Sequence, residues 1–208
     1  MVDSELFSSV IPSVSKSIDS FDNQQLANMA WAYAVANVDA PTLFNDNFIK
    51  SFDKEDRLKM KIKGLVQLYQ WHLWWAKEKS HDGLPKELLQ RCYKAFIAET
   101  PRVSKLQEDV VVQLSSIGLE PKEEVLMDSG YRIDVIVEVN GKTISIEVDG
   151  PSHFIGRSKS PKGSTILKRR QVPSIDVIEL VSVPHWEWNK FGKNQVKKQE
   201  YLRKLLGV

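Results

Sequence analysis

The stretch from Tyr131 to Asp149, YRIDVIVEVNGKTISIEVD, constrains the fold of this chain more than any other. Two runs rich in β-branched residues flank Asn140-Gly141, a dipeptide suited to the positive-φ positions of a type I′ hairpin turn. A two-residue turn sets Val139 opposite Lys142. Counting outward, it sets Asp134 opposite Glu147 and Arg132 opposite Asp149. Side chains alternate between faces, so one face reads Ile133, Val135, Val137, Val139, Ile144, Ile146 and Val148 and is expected to be core. The other reads Arg132, Asp134, Ile136, Glu138, Thr143, Ser145, Glu147 and Asp149. Like charges directly opposite one another destabilise a sheet. Facing carboxylates therefore call for a cation between them, a metal, or the counterion of a polyanion.

At 208 residues the chain is long enough for one large domain or two small ones. Its single cysteine, Cys92, excludes an internal disulfide framework and a multi-cysteine zinc site. No apolar run approaches the roughly 18 to 20 residues of a membrane helix, so no membrane partner is expected. The first residues carry Asp3 and Glu5 and no arginine, and no targeting peptide is visible. The chain reads as the C-terminal fragment of a longer protein. A net charge of +2 is too small to argue for nucleic acid by itself, so the placement of charge matters more.

Residues 4 to 50 read as helices. Leu6, Val10, Val14 and Ile18 recur at helical spacing, with a kink or restart expected at Pro12. A second helix spans Asp22 to Asn37, with Asp22 as N-cap and Leu26, Met29, Ala30, Tyr33 and Ala34 as its buried stripe. Pro41 suits the start of the next helix. Glu5-Leu6-Phe7 is echoed by Thr42-Leu43-Phe44, and Ser20-Phe21-Asp22 by Ser51-Phe52-Asp53, a loose spacing that suits an α-solenoid repeat. A long helix is expected from Arg57 to Lys79, and another from Pro85 to before Pro101. The cluster Trp71-His72-Leu73-Trp74-Trp75 could stack on bases, but the core between two helices is the favoured place for it.

Ser104 to Ile117 is expected to be helical, with Ser104 as cap, Gln107 at the capping-box position and Gly118 at C′. Beyond it the periodicity turns from helical to alternating. This places a domain boundary near Pro101: a helical segment, 1–101, and an α/β domain, 102–208. After the hairpin come a Gly-, Ser- and Lys-rich loop from Gly156 to Ser164, a short helix from Thr165 to Gln171, a strand from Asp176 to Val183, and a basic amphipathic helix from Asn194 to Leu206. The whole is α+β.

Asp134, Glu147 and Asp149 converge at one end of the hairpin, with His153 just beyond. Hard divalent cations such as Mg²⁺ or Mn²⁺ take carboxylate oxygens, and a cation held there could activate water against a phosphodiester, with His153 as ligand, general acid or phosphate contact. The plainer alternative pairs Asp149 with Arg132, and Asp134 and Glu147 with Lys168 or Arg169. Arg157, Lys159, Lys162, Lys168, Arg169 and Arg170 fall between 156 and 171 with no acid among them, and Lys190, Lys193, Lys197, Lys198, Arg203 and Lys204 form a second basic group. With Trp186 nearby, these groups suggest a phosphate-backbone track.

The stretch Ile133 to His153, the run Ile146-Glu147-Val148-Asp149-Gly150 with Pro151-Ser152-His153-Phe154, the residues Gly163-Ser164-Thr165 with Lys168-Arg169-Arg170, and Val183-Pro184-His185-Trp186-Glu187-Trp188 together resemble a RAP domain. That family is named for RNA-binding proteins abundant in apicomplexans. The resemblance covers roughly residues 104 to 208 and implies a restriction-endonuclease-like fold of the very-short-patch-repair type. Asp134 and Glu147 match its acidic positions, and Glu108 the acidic residue of its first helix. Asp149 stands where many such nucleases have lysine, which puts lysine-assisted water activation in doubt. Gln24 to Ala34 resembles the helical repeats that precede RAP domains in protist, algal, Fas-activated-kinase-like and octotricopeptide-type proteins.

The resemblance implies RNA binding in mitochondrial or plastid RNA metabolism, such as processing, stability or rRNA handling. Ribonucleoprotein partners are implied with it. The alternatives are a Mg²⁺- or Mn²⁺-dependent endoribonuclease using Asp134, Glu147, Asp149 and His153, and a catalytically inactive ribonucleoprotein component.

Overall fold

A computed structural model of the chain describes residues 3–53, 60–98, 100, 103–156 and 158–208. Arg57, Leu58, Pro101 and Arg157, each singled out above, lie outside the described residues. The chain divides into two compact units, Met1–Glu99 and Thr100–Val208. Among the described residues no helix is long and apolar enough to cross a membrane.

The first unit is helical. Helix α1 (Ser4–Ser17) begins at Asp3, whose carboxylate accepts from Leu6 N at 2.9 Å. It runs through Pro12 rather than restarting there. The proline ring already holds a helical φ, and at this exposed position water can satisfy the carbonyl it frees. No residue of α1 is buried, and Leu6 and Val10 are exposed; of the helically spaced residues only Ile18, just past its end, is buried. Helix α2 (Asn23–Ala36) carries the expected cap as a full capping box. Gln25 N donates to Asp22 Oδ1 at 2.7 Å, and Asp22 N donates to Gln25 Oε1 at 2.8 Å. Leu26, Ala27, Ala30, Tyr33 and Ala34 are buried, and Met29 is only half-buried.

No helix starts at Pro41. Residues 41–45 turn, and a short helix α3 (Asp46–Lys50) follows, capped by Asn45. Leu43 and Phe44 are thus buried in a turn, whereas Leu6 is exposed on a helix. The two echoed triplets do not occupy equivalent places.

Helix α4 (Ile62–His72) continues into a π-helical turn, Leu73–Glu78, and helix α5 (Lys86–Ile97) lies against α4. Trp71, Trp74 and Trp75 are buried. Trp71 and Trp75 stack at 5.8 Å, and Phe44 meets them at 5.2 and 5.3 Å. Trp74 Nε1 donates to Asn37 Oδ1 at 2.9 Å. The tryptophan cluster is core, with no face offered to bases.

The second unit is built on a four-stranded mixed sheet. Helix α6 (Lys105–Ser116) is followed by β1 (Lys122–Leu126), β2 (Arg132–Val139) and β3 (Lys142–Asp149), paired antiparallel in that order. Helix α7 (Gly163–Ile175) then crosses over to β4 (Glu179–Pro184), which lies parallel to β3. A short helix α8 (His185–Trp188) and helix α9 (Gln195–Leu206) close the chain.

The hairpin has the expected register from Val139↔Lys142 to Val135↔Ile146. Its apolar face is fully buried. Val135, Val137, Val139, Ile144, Ile146 and Val148 form one cluster with Val110 and Leu114 of α6, Val183, Trp188, and Leu202 and Leu206 of α9. Twelve such buried apolar residues supply the main stabilisation of this unit. The other face is also closed at its far end, where Ser145, Glu147 and Asp149 are buried, because α7 reaches across it.

Candidate nucleic-acid interface

The parallel pairing of β3 with β4 builds the site. Glu147 aligns with Ser182 and Asp149 with Pro184, so residues 35 positions apart in the chain become neighbours. Helix α7 lays Lys168 and Arg169 over the same strand ends. The sequence predicts it over Thr165 to Gln171. The helix is longer at both ends and runs past Pro173.

Asp149 is the hub. It is 1% exposed. Its Oδ2 accepts from Arg169 at 2.5 Å and from the Ser182 hydroxyl, and its Oδ1 meets His153 Nδ1 at 2.8 Å. Arg169 also donates to Ser182 Oγ at 2.9 Å. The His185 ring nitrogen Nδ1 lies 3.3 Å from the Asp149 carbonyl oxygen. Burial would raise the Asp149 carboxyl, but hydrogen bonds from His153, Ser182 and Arg169 outweigh it and hold the group below its ordinary value. The same bond to Asp149 raises His153, against the opposing effect of burial.

Glu147 is 2% exposed and pairs through Oε2 with Lys168 Nζ at 2.5 Å, while its Oε1 has no hydrogen-bond partner among the described residues. Burial pushes this carboxyl up to about 7, with Lys168 pulling the other way. Asp134 is raised too, again by burial first. Its Oδ2 accepts from Val148 N at 2.7 Å. That bond takes the place of a ladder step, which is why the register stops at Val135↔Ile146 and the direct pairing of Asp134 with Glu147 is absent from it.

These partners revise the expected site. Asp134, Glu147 and Asp149 lie within electrostatic reach of one another and of His153, but each is bound to a different partner. Asp134 is turned to a backbone amide, Glu147 to Lys168, and Asp149 to Arg169, Ser182 and His153. Among the described residues no three or more His, Cys, Asp or Glu side chains are grouped to hold a metal ion. With Asp149 and one oxygen each of Asp134 and Glu147 engaged by the protein's own cations and donors, the carboxylates fit Mg²⁺ or Mn²⁺ poorly. The pairing of Asp149 with Arg132 does not form either, since Arg132 donates instead to the Glu124 carbonyl at 2.8 Å. Lys168 and Arg169, expected to grip phosphates, are drawn inward as counterions of buried carboxylates.

Glu108 is exposed on α6 and takes no part. Its neighbour Asp109 accepts from Trp188 Nε1 at 2.7 Å and from Lys198 Nζ at 2.6 Å, tying α6 to α8 and α9. Gln107 completes only half of the expected capping box. Ser104 Oγ accepts from Gln107 N at 3.2 Å, but the Gln107 amide reaches Glu124 Oε1 and the Asp134 carbonyl rather than Ser104.

The basic loop residues remain outward. Lys159 and Lys162 are exposed, and Arg170 is half-buried. Lys159 Nζ sits 5.4 Å from the centre of the Trp186 ring. Phe154 meets Trp186 edge-on at 4.4 Å, and Arg169 lies over Phe154 at 6.0 Å. These residues, with Ser182, Pro184, Glu187, Tyr201, Lys204 and Leu205, line a cleft of about 570 Å³. Ser182, His185, Tyr201 and Glu187 were not identified as site residues from the sequence. The first pair is brought in by the parallel neighbour strand and the turn after it. The second is joined by a hydrogen bond from Tyr201 Oη to Glu187 Oε2 at 2.9 Å.

Comparison with known proteins matches residues 146–205 to the family model of the RAP domain. A RAP domain-containing protein, chloroplastic, of Oryza sativa subsp. japonica is 30% identical over 199 residues, which cover 90% of this chain. The chain spans 30% of that relative's length. The matched segment holds the Asp149 hub, Lys168 and Arg169 of α7 and the whole lining of the cleft, and the second unit of the chain thus carries a RAP domain.

Proposed function

We propose that the chain binds RNA through its RAP-domain unit and acts in organellar RNA metabolism. The observation that carries this reading is the juxtaposition of exposed Lys159 with Trp186 beside a cleft that also presents Lys204. Cations attract the phosphate backbone, and aromatic rings accept any base face. The plastid label of the rice relative supports a plastid setting over a mitochondrial one, and ribonucleoprotein partners belong to the same proposal. Metal-assisted cleavage by Asp134, Glu147, Asp149 and His153 is the weaker reading, because Asp149 is held by Arg169, Ser182 and His153, and one oxygen each of Asp134 and Glu147 by Val148 N and Lys168.

The test is fluorescence anisotropy of the full chain with labelled single-stranded RNA across a salt series. Binding should weaken steeply with salt, by a slope of about 0.7 in log K per phosphate contact. An affinity that stays flat from low to high salt overturns the reading.

A further inference from the structure

The cleft beside Trp186 has the volume and the mixed chemistry of a ligand site. Small-molecule sites occupy roughly 300 to 1,000 Å³, and this one is about 570 Å³. Its lining sorts into three kinds. Trp186, steadied edge-on by Phe154 at 4.4 Å, supplies an aromatic wall. Lys159 and Lys204, both exposed, supply positive charge. Glu187, held by the Tyr201 hydroxyl at 2.9 Å, supplies a fixed carboxylate acceptor. Arg169 closes the inner side, where Asp149 and Ser182 hold its guanidinium in place.

We infer that this cleft receives one unpaired nucleotide of a single-stranded RNA, its base stacked on Trp186 and its phosphate held by Lys159 and Lys204. The inference rests on the RNA-binding reading above and assigns it a recognition site. A nucleotide is the ligand class that uses all three kinds of lining at once. A base has a π-face and sheds water on stacking. Its phosphate needs cations. Its ribose hydroxyls and base amino groups are donors for a carboxylate, while the phosphate is repelled from it, so Glu187 fixes which end of the nucleotide lies where.

Lys159 takes part in loading. In the free protein its ammonium rests over the indole at 5.4 Å. An arriving base takes over that aromatic contact and releases the ammonium to the phosphate. A base that remains paired in a duplex cannot make this exchange.

The experiment uses the full chain, a single-stranded RNA decamer and the duplex of the same sequence, with Trp186→Ala, Trp186→Phe and Lys204→Gln beside wild type. Trp186 is half-buried at the cleft wall and Trp186→Phe keeps an aromatic face, so the pair separates stacking from folding. Trp186→Ala should weaken single-strand binding by roughly five- to hundred-fold, with Trp186→Phe close to wild type and duplex binding unmoved. Lys204→Gln should lower the salt slope for the single strand by about 0.7. If the wild-type chain binds RNA and Trp186→Ala binds the single strand equally well, the cleft is not the site while the RNA-binding reading stands. If the wild-type chain binds neither RNA, both fall.

Discussion

The buried pair of Glu147 and Lys168 gives the second unit an unusual pH dependence, which Glu147→Gln should remove. Glu147 is 2% exposed, and its carboxyl is raised from 4.5 to about 7 chiefly by burial. An acid raised in this way binds its proton more tightly in the folded chain than in the unfolded one. Between the two values the native state holds the extra proton, so stability falls as pH rises from about 4.5 to about 7 and then levels off. At about 1.4 kcal/mol per pH unit, that interval corresponds to about 3 kcal/mol. Glutamine keeps the shape and cannot ionise. Lys168 loses its anion in the variant, but its side chain is 19% exposed, and its ammonium can turn to water along its flexible stem. Urea unfolding of both proteins, followed by circular dichroism at pH 5, 6, 7 and 8, measures the effect. The stability of Glu147→Gln relative to wild type should rise by about 2 to 3 kcal/mol across this range. His153, whose raised value also lowers stability as pH rises through it, owes that rise mainly to Asp149 and only in part to Glu147, so most of its effect is common to both proteins. A difference constant to within about 1 kcal/mol from pH 5 to 8 would refute the assignment of Glu147 as a buried, proton-holding carboxyl.

Two further substitutions test the framework of the site. Asp149→Asn removes the anion shared by Arg169, Ser182 and His153, and should cost about 3 kcal/mol in urea unfolding, as breaking a buried pair does. The His153 titration, read from its ring protons by NMR, should move to lower pH in the same variant, and an unmoved titration would show that Asp149 is not what raises it. Asp109→Ala leaves the buried Trp188 indole without its acceptor and Lys198 without its anion, and should cost about 2 kcal/mol in thermal or urea unfolding. A loss below about 0.5 kcal/mol would mean that α6 is not held to α9 through this residue.

What could be read in advance followed how local each interaction is. The Asn140-Gly141 turn and the alternation around it suffice for the hairpin register and its buried face, because both depend on near neighbours. The Asp22 capping box is equally local. Strand β1 escaped notice. Lys122-Glu123-Glu124 has the polarity of a loop, the strand sits at a sheet edge, and Glu124 adopts a φ of 53° that no propensity anticipates. The partners of Asp149 escaped for a different reason. Ser182 reaches it only through a parallel crossover, and the choice of Arg169 over Arg132 depends on how α7 lies over the sheet. The stripe Leu6, Val10, Val14 and Ile18 has a helix's period, but a period says only which side chains share a face. Of these, Ile18 alone is buried.

The placement of the core also bears on where the domain begins. The matched segment starts at Ile146, inside β3, yet the cluster that buries β3 takes Val110 and Leu114 from α6 and Val135, Val137 and Val139 from β2. A chain cut at Ile146 would keep the cleft residues and lose one wall of the core that supports them. The segment that the family model matches is therefore shorter than the segment that can fold. The smallest piece able to carry the cleft into a solution experiment must reach back at least to Ser104, the cap of α6.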